Sequence, residues 1–383
     1  MKLTKSLFLA FAGLGLFACS NEEIADNSGV QGEATVSVRI DEPAISRAIA
    51  AGDFTSGSTI DVTLNSIKLK LTAQTGGSEI TFNLSSYQND RAKLLEAVNK
   101  YQFEGVRNPS KMEVFINGGK TGVGDDVLTL SDVVTTGLAE PLYASSTHFE
   151  LKGDIDTPEK DGIDEYEVQL TPEHTVARLE FGGIKHIHSK KEGSQELKSC
   201  MFKTINIDGI FMNNVAGATN GITDWATAQT NTPVHSVIGT EESPVPFKEN
   251  QTWPADNDCY GYNILPVESG KLPVLTVCFS KITIDTAKPE YSGTVWANED
   301  GFGYATVKNY KLDEASSAYK GAFGVGSDGI ITKFPAGYIY QVKSLEIPDE
   351  AIGTTITGGE DVHVYAVVSV SKWNIVQGSV EWN

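Results

Sequence analysis

Three kinds of motif in this sequence have residue types and spacing that could support chemistry: a glycine motif, a histidine pair and acidic loops. Residues 324–329 match the G-x-G-x-x-G pattern of dinucleotide-binding loops. That pattern binds pyrophosphate only where a strand precedes it and a helix follows it. Residues 330–335, Ile-Ile-Thr-Lys-Phe-Pro, instead indicate a strand that ends at proline. We therefore predict that residues 324–329 form a hairpin loop.

His186 and His188 are two residues apart, so on a strand their imidazoles would share one face, which a metal ion can use. No third ligand is marked nearby and two lysines follow, so we predict an exposed strand end. Three acidic groups are similar to calcium loops but lack the EF-hand ligand spacing. We predict that these groups are solvated turns; they lie at residues 124–126, 161–165 and 298–301.

The sequence contains no H-E-x-x-H motif, no Walker loop and no G-x-S-x-G nucleophile elbow. We therefore expect no enzymatic activity, and neither a cofactor nor a metal ion. Asp285-Thr286-Ala287 is similar to a short O-glycosylation site, but the match covers only three residues and we predict an ordinary turn instead.

The composition indicates a folded, acidic protein. The 383 residues contain 40% hydrophobic and 21% charged residues, as in globular proteins of two or three domains. With 30 Lys and Arg against 50 Asp and Glu, the formal net charge is −20. This charge argues against nucleic acid or an anionic lipid surface as a partner.

The first residues resemble a bacterial lipoprotein signal. Lys2 and Lys5 precede an apolar run from Leu7 to Leu16 that is too short to span a bilayer, and Cys19 follows. The resemblance implies that Cys19 carries the lipid, and the polar, acidic residues after it indicate a flexible tether. A serine and then acids after the lipidated cysteine resemble lipoproteins exposed on the outer membrane of Gram-negative anaerobes. The remaining cysteines, Cys200, Cys259 and Cys278, are odd in number, so we predict buried free thiols, although one bridge is possible.

Short segments with period-2 apolar alternation recur along the whole chain, punctuated by Gly, Asn, Asp and Pro. This pattern predicts an all-β fold with minor helix, built from β-sandwiches. The clearest helical spacing covers residues 90–103, and a shorter helix is possible at 130–135. Pro172 interrupts the pattern and marks the predicted boundary between two domains.

Both ends of the chain carry pronounced strand patterns. In residues 33–40 the apolar positions alternate, at Ala34, Val36, Val38 and Ile40. A segment of small residues follows, and a trypsin-like protease could cut it between Arg47 and Ala48, which would detach the lipid and the strand together. Near the C-terminus the apolar positions are Val362, Val364, Ala366, Val368, Val370, Trp373, Ile375, Val380 and Trp382. A terminus this apolar must be covered by something, either the rest of its own sandwich or a partner.

These features together resemble the FimA/Mfa-type fimbrillins, the major subunits of type V pili. The features are Cys19, the strand at 33–40, the Arg47-Ala48 bond, the stretch Val176-Ala-Arg-Leu-Glu-Phe181 and the terminal residues 372–382, KWNIVQGSVEW. The resemblance implies two tandem transthyretin-like β-sandwich domains and an Arg-specific protease that removes the strand at 33–40. The donor segment of another copy then fills the groove that the strand leaves.

The resemblance divides the chain into five parts. They are a signal peptide at 1–18, a tether and propeptide at 19–47, an N-terminal sandwich at 48–171 that residues 33–40 complete before cleavage, a C-terminal sandwich at 172–361 and a donor segment at 362–383. A vacated groove is a template for strand addition, and head-to-tail exchange produces filaments because it does not close.

The predicted function is therefore that of a shaft subunit of a pilus that supports adhesion and biofilm. The precursor would be an outer-membrane lipoprotein exposed at the surface, and the mature form would lie in extracellular fimbriae with accessory tip and anchor subunits. An alternative remains open: a non-polymerising surface lipoprotein or tip adhesin that binds glycan or host protein. Exposed tryptophans could serve that role, at Trp225, Trp253 and Trp296.

Overall fold

The structure is a computed structural model, and it describes twelve stretches of the chain. These stretches are residues 33–41, 64–73, 79–84, 91–121, 125–129, 141–154, 164–187, 202–213, 259–284, 296–348, 351–356 and 364–372. Within them lie two large hydrophobic cores, one built from residues before position 171 and one from residues after position 176.

The N-terminal part is a β-sandwich of two sheets. Its strands are β1 (Glu33–Ile40), β2 (Ile67–Ala73), β3 (Glu79–Leu84), β4 (Gln102–Arg107), β5 (Pro109–Ile116), β6 (Leu142–Ser146), β7 (Glu150–Asp154), β8 (Asp164–Leu170) and β9 (Glu173–His174). One sheet has the order β4-β1-β8-β7 and the other has the order β3-β2-β5-β6-β9. Val36 and Val168 of the first sheet share a core with Leu69 and Val114 of the second.

The C-terminal part is one large sheet with a two-stranded companion. Its strands are β10 (Ala177–Gly182), β11 (Ile184–Ile187), β12 (Phe202–Asn213), β13 (Cys259–Ile264), β14 (Val274–Ile284), β15 (Gly303–Leu312), β16 (Tyr338–Val342), β17 (Leu345–Pro348) and β18 (Val364–Lys372). The seven-stranded sheet has the order β12-β14-β15-β18-β16-β10-β13, and β11 pairs with β17. Ile207 on one edge strand and Ile264 on the other line the same core.

The alternation in the sequence explains why these segments are strands. In β2, Ile67, Leu69 and Leu71 are buried in the core, whereas the residues between them face the opposite side of the sheet. The prediction of an all-β fold with minor helix is confirmed.

The predicted helix at 90–103 is shorter in the structure. Helix α1 covers Arg91–Asn99 and buries Leu94 and Val98, and the chain enters β4 at Gln102 because residues 102–107 pair with β1. The possible helix at 130–135 lies outside the described residues. Among the residues that the structure describes, no helix is long and apolar enough to cross a membrane.

The chain passes from the first part to the second between His174 and Ala177. Strand β9 pairs with β6 in the N-terminal part, while β10 pairs with β13 and β16 in the C-terminal part. A small apolar cluster joins the two parts at this crossing: Leu128 of the N-terminal part is buried with Val176 and Ile339. The predicted domain boundary, between residues 171 and 172, lies just before the point where the chain passes from the first part to the second.

Candidate functional site

The strand that sequence analysis singled out, β1, is an interior strand of its sheet. It runs parallel to β8, with Ala34 opposite Asp164 and Ile40 opposite Leu170. On its other edge it runs antiparallel to β4, with Glu33 opposite Arg107 and a register shift between Ala34 and Val36. Both edges of β1 are therefore hydrogen-bonded to neighbouring strands.

The four alternating apolar residues of β1 point into the N-terminal core. Ala34 and Val36 are 0% exposed, Val38 is 1% exposed and Ile40 is 4% exposed. Thr35, on the opposite face, is also buried, and Arg39 is exposed. The prediction that this segment is a half-buried strand is confirmed, and at Thr35 the burial extends to both faces.

Hydrogen bonds outside the ladders hold β1 at its centre and at its C-terminal end. The hydroxyl of Ser37 donates to the carbonyl of Tyr166 at 3.2 Å, and the amide of Ile40 donates to Oδ1 of Asn99 at 3.1 Å. The Asp41 carboxylate accepts from Nε2 of Gln169 at 2.8 Å and from Oγ1 of Thr171 at 2.7 Å. No local signal in the sequence around Asp41 identifies these partners, which lie on β8 and just beyond it.

The residues expected to act in lipidation and cleavage lie outside the described residues. They are Cys19, Arg47 and Ala48. The last described residue before the expected cleavage site at Arg47 and Ala48 is Asp41, one position after β1.

The predicted donor segment is placed in part by the structure. Residues 364–372 form β18, which lies inside the seven-stranded sheet, parallel to β15 and antiparallel to β16. Ala366 and Val368 are 0% exposed, while Val367 between them is 51% exposed. Val364 and Val370 belong to the same strand. The other predicted donor positions lie outside the described residues: Val362, Trp373, Ile375, Val380 and Trp382.

A buried carboxylate that sequence reasoning missed lies on the outer face of the five-stranded sheet. Glu113 accepts hydrogen bonds from the Tyr143 hydroxyl at 2.6 Å, from Lys111 at 2.9 Å and from Lys120 at 3.2 Å. Burial alone would raise the pKa of Glu113, but these donors outweigh it and lower the pKa to about 2. Burial and the bond to Glu113 raise the pKa of Tyr143 to about 12. Three donors therefore converge on this carboxylate, which suits a structural role.

A second polar network lies on β10 and its neighbours. Nε of Arg178 donates to Glu180 at 2.9 Å, and Nε2 of Gln341 donates to the same carboxylate at 2.8 Å. Nη1 of Arg178 also donates to Asn263 at 3.2 Å. Glu180 is 0% exposed, so the network pairs a charge that would otherwise be costly to bury.

The glycine motif does not form a nucleotide-binding site in the structure. Residues 324–329 form turns, the hydroxyl of Thr332 donates to the Gly324 carbonyl at 2.8 Å, and residues 330–348 contain no helix. The strand expected at 330–335 is wrong, since only isolated bridges form there, at Ile330 and Phe334. The chain does reverse direction through the motif, because the amide of Thr332 donates to the carbonyl of Phe323.

The histidine pair was expected at an exposed strand end. This prediction is wrong for His186, which lies on β11 and is 4% exposed. His188 lies outside the described residues. The ladder partner of His186 on β17 is Ile347, so the pairing of β11 with β17 helps to enclose His186. Across the part of the chain that the structure describes, no group of three potential metal ligands occurs.

The acidic loops that the structure describes form hydrogen bonds within the chain. The Asp126 carboxylate accepts from Lys68 at 2.7 Å, and Oδ1 of Asn298 accepts from the amide of Phe302 at 2.9 Å. Trp296 packs against the C-terminal core, while Trp225, Trp253 and Thr286 lie outside the described residues. Cys278 is a free, buried thiol.

Comparison with known proteins gives similarity to solved structures only. The sequence matches no protein-family model and no curated protein. The fimbrilin FimA from Porphyromonas gingivalis is similar at 14% identity and a TM-score of 0.46, with 90% of this chain and 99% of that chain covered. A candidate cell adhesion protein from Bacteroides eggerthii is similar at 12% identity and a TM-score of 0.44, with coverages of 90% and 98%.

The tip fimbrial protein Mfa3 from Porphyromonas gingivalis, with a C-terminal truncation, is similar at 11% identity and a TM-score of 0.36. Here 89% of this chain and 100% of that chain are covered. The solved structures to which this chain is similar thus include FimA and Mfa3.

Proposed function

We propose that this chain is the precursor of a shaft subunit of a type V pilus, assembled by protease-triggered donor-strand exchange. In this proposal Cys19 carries a lipid that holds the precursor at the outer membrane. An Arg-specific protease cuts between Arg47 and Ala48 and releases β1. The donor segment, residues 362–383 of another copy, then fills the vacated groove. The mature subunit lies in an extracellular fimbria with accessory tip and anchor subunits, and supports adhesion and biofilm.

One observation carries the proposal: β1 is paired on both edges and buried on its apolar face. Removing an edge strand would only expose a new edge, whereas removing β1 leaves a groove between β4 and β8. Unpaired backbone donors and acceptors would line both walls of that groove. A two-walled groove accepts one added strand and fixes its position from both sides.

The release of β1 would also uncover apolar surface. Val36, Val38 and Ile40 are almost fully buried, and each such side chain contributes about 1.5–3 kcal/mol on burial. The gross loss is then roughly 4–9 kcal/mol, which is comparable to the total stability of many domains. The cut subunit would therefore need a replacement strand, and before the cut β1 would block premature assembly.

Strand exchange between identical chains is heterologous, because the groove and the donor lie on different parts of each subunit. Such contacts form an open filament unless a rotation closes them into a ring. A chain with both a releasable strand and a donor segment can add subunits at both ends, as a shaft requires. This is the reason for preferring a shaft subunit to a tip subunit, which would need no donor.

The direct test is to identify the N-terminal residue of material sheared from the cell surface and to image the same material by electron microscopy. We expect filaments whose subunits begin at Ala48. Filaments whose subunits retain residues 33–40 would contradict the proposal, since their grooves would still be occupied.

The internal pairing of β18 favours one alternative, a non-polymerising surface lipoprotein or tip adhesin that binds glycan or host protein. In the structure β18 is hydrogen-bonded on both edges to its own domain. If that pairing persists after cleavage, the cut chain stays monomeric. Sedimentation of the cut protein, followed by a glycan array on any monomer, distinguishes the two functions.

A further inference from the structure

The two strands β1 and β18 carry nearly the same residues in the same order. Residues 34–38 read Ala-Thr-Val-Ser-Val and residues 366–370 read Ala-Val-Val-Ser-Val. They differ only at the second position, where Thr35 and Val367 have nearly the same shape but Thr35 carries a hydroxyl in place of a methyl group. The match ends at Val38, because Arg39 and Ile40 correspond to Ser371 and Lys372.

The two strands also occupy the same kind of position in their sheets. β1 has a parallel neighbour, β8, and an antiparallel neighbour, β4. β18 likewise has a parallel neighbour, β15, and an antiparallel neighbour, β16. Parallel and antiparallel ladders have different hydrogen-bond patterns. A strand that moved from one position to the other would find one ladder of each kind again.

The side chains that face the two cores match in size. Ala34 and Val36 are fully buried in the N-terminal core, and Ala366 and Val368 are fully buried in the C-terminal core. Volume-conserving exchanges of this kind are the ones that packed cores tolerate best. With Ala366 in the place of Ala34, every core-facing residue up to Val38 is replaced by the same residue type.

The opposite faces match as well, and one position gains burial. The Ser37 hydroxyl donates to the carbonyl of Tyr166, and the hydroxyl of Ser369 could make the same bond from the same place. Val367 is 51% exposed in its own sheet, whereas Thr35 is 5% exposed. Placing Val367 at the position of Thr35 therefore removes an exposed apolar side chain from water.

We propose that β18 of a second copy occupies the groove in a defined register, with Ala366 in the place of Ala34 and Val370 in the place of Val38. The incoming strand runs parallel to β8 and antiparallel to β4, as β1 does. This assignment rests on the proposed function and adds which strand of the donor segment enters the groove, its direction and its register. It requires β18 to leave its own sheet and to exchange the ladders with β15 and β16 for those with β8 and β4.

The first test changes Val367, because its exposure differs between the two positions. V367E leaves the monomer folded, since the new carboxylate lies in solvent opposite Lys311. In the groove the same carboxylate is buried opposite Glu165, so we expect at least a tenfold loss of filament growth from the cut protein. The matched control is V367T, which copies Thr35 and should polymerise like the unchanged protein. Normal filament growth by V367E, with its monomer melting temperature unchanged, overturns the assignment.

The second test reads the register directly with disulfides. Ser37 is the antiparallel partner of Gln102, so the register places Ser369 of the incoming strand opposite Gln102. Antiparallel partners have Cα atoms about 4.5–5.5 Å apart, which fits a disulfide. A shift of two residues moves the strand about 7 Å along its axis, so the Cα atoms are then about 8–9 Å apart, too far for a disulfide. We expect Q102C/S369C to form intermolecular disulfides in filaments, and Q102C/S371C and Q102C/V367C to form none.

The outcomes also separate this assignment from the proposed function. Filaments that crosslink through S371C or V367C, or through none of the three variants, overturn the register and leave the pilus function standing. A cut, unchanged protein that forms no filaments overturns both. Peptide mapping by mass spectrometry identifies each bridge and excludes the native cysteines.

Discussion

The carboxylate of Asp41 and the hydroxyl of Thr171 form a hydrogen bond of 2.7 Å between Oδ2 and Oγ1. Asp41 is the residue after β1 and Thr171 is the residue after β8, so the bond ties the ends of two parallel strands together. Asp41 also accepts from Gln169, and its amide donates to the carbonyl of Leu170 at 2.9 Å. The end of β1 nearest to the proposed cleavage site is therefore tied by side chains to the end of β8.

Replacing Asp41 with alanine should loosen this end of β1. We expect a loss of about 1 kcal/mol in the free energy of unfolding of the precursor, since two partly exposed hydrogen bonds disappear. Hydrogen exchange at the amides of Ile40 and Asp41 should become faster. The control is Asp41→Asn, which keeps an acceptor, and equal exchange rates in Asp41→Ala and the unchanged protein would contradict the role of the carboxylate.

Truncating Val38 should weaken the uncut precursor more than truncating its neighbour. Val38→Ala removes buried methyl groups from the N-terminal core and should cost about 1–3 kcal/mol, measured by urea unfolding. Arg39→Ala removes an exposed side chain and should change the stability by less than about 0.5 kcal/mol. Similar losses in both variants would mean that β1 is not packed as described.

Blocking the proposed cut should block assembly. Arg47→Ala removes the arginine that an Arg-specific protease would recognise, so we expect the protein to remain monomeric after protease treatment, as measured by size-exclusion chromatography and electron microscopy. Arg39→Ala is the control, because Arg39 lies within the paired strand and its loss should leave the cut unaffected. Filaments from Arg47→Ala would show that release of the strand after Arg47 is unnecessary.

The buried carboxylate of Glu113 should make the N-terminal part sensitive to acid. Its pKa is lowered from 4.5 to about 2 in the folded chain, so its stabilisation is complete above pH 4.5 and disappears as the pH falls towards 2. Glu113→Gln should cost about 1–3 kcal/mol at pH 7 and should flatten the pH dependence between about 5 and 2. Thermal melts of both proteins across this range provide the measurement, and parallel pH profiles would exclude Glu113 as the titrating group.

The local residue pattern predicted the positions of strands well, but it did not predict which polar side chains are buried or what they bind. The bounds predicted for β1, residues 33–40, are those of the structure, because alternation places one face in the core whatever the strand pairs with. The burial of His186 was not predictable, since it depends on how β11 and β17 come together. Glu113 and Glu180 also gave no signal, because the donors that pair them lie in large part on other strands or loops.

The sequence by itself determined the periodicity of the strands, the apolar faces of β1 and β18, and the acidic character of the whole chain. These properties depend on side-chain order and composition alone. Only the tertiary structure decided that β1 lies between β4 and β8, that Ser37 meets Tyr166 at a separation of 129 residues, and that β18 lies inside its own sheet. The physical reason is that a strand leaves both backbone edges free to pair with any other strand, and long-range packing of the two cores selects the partners.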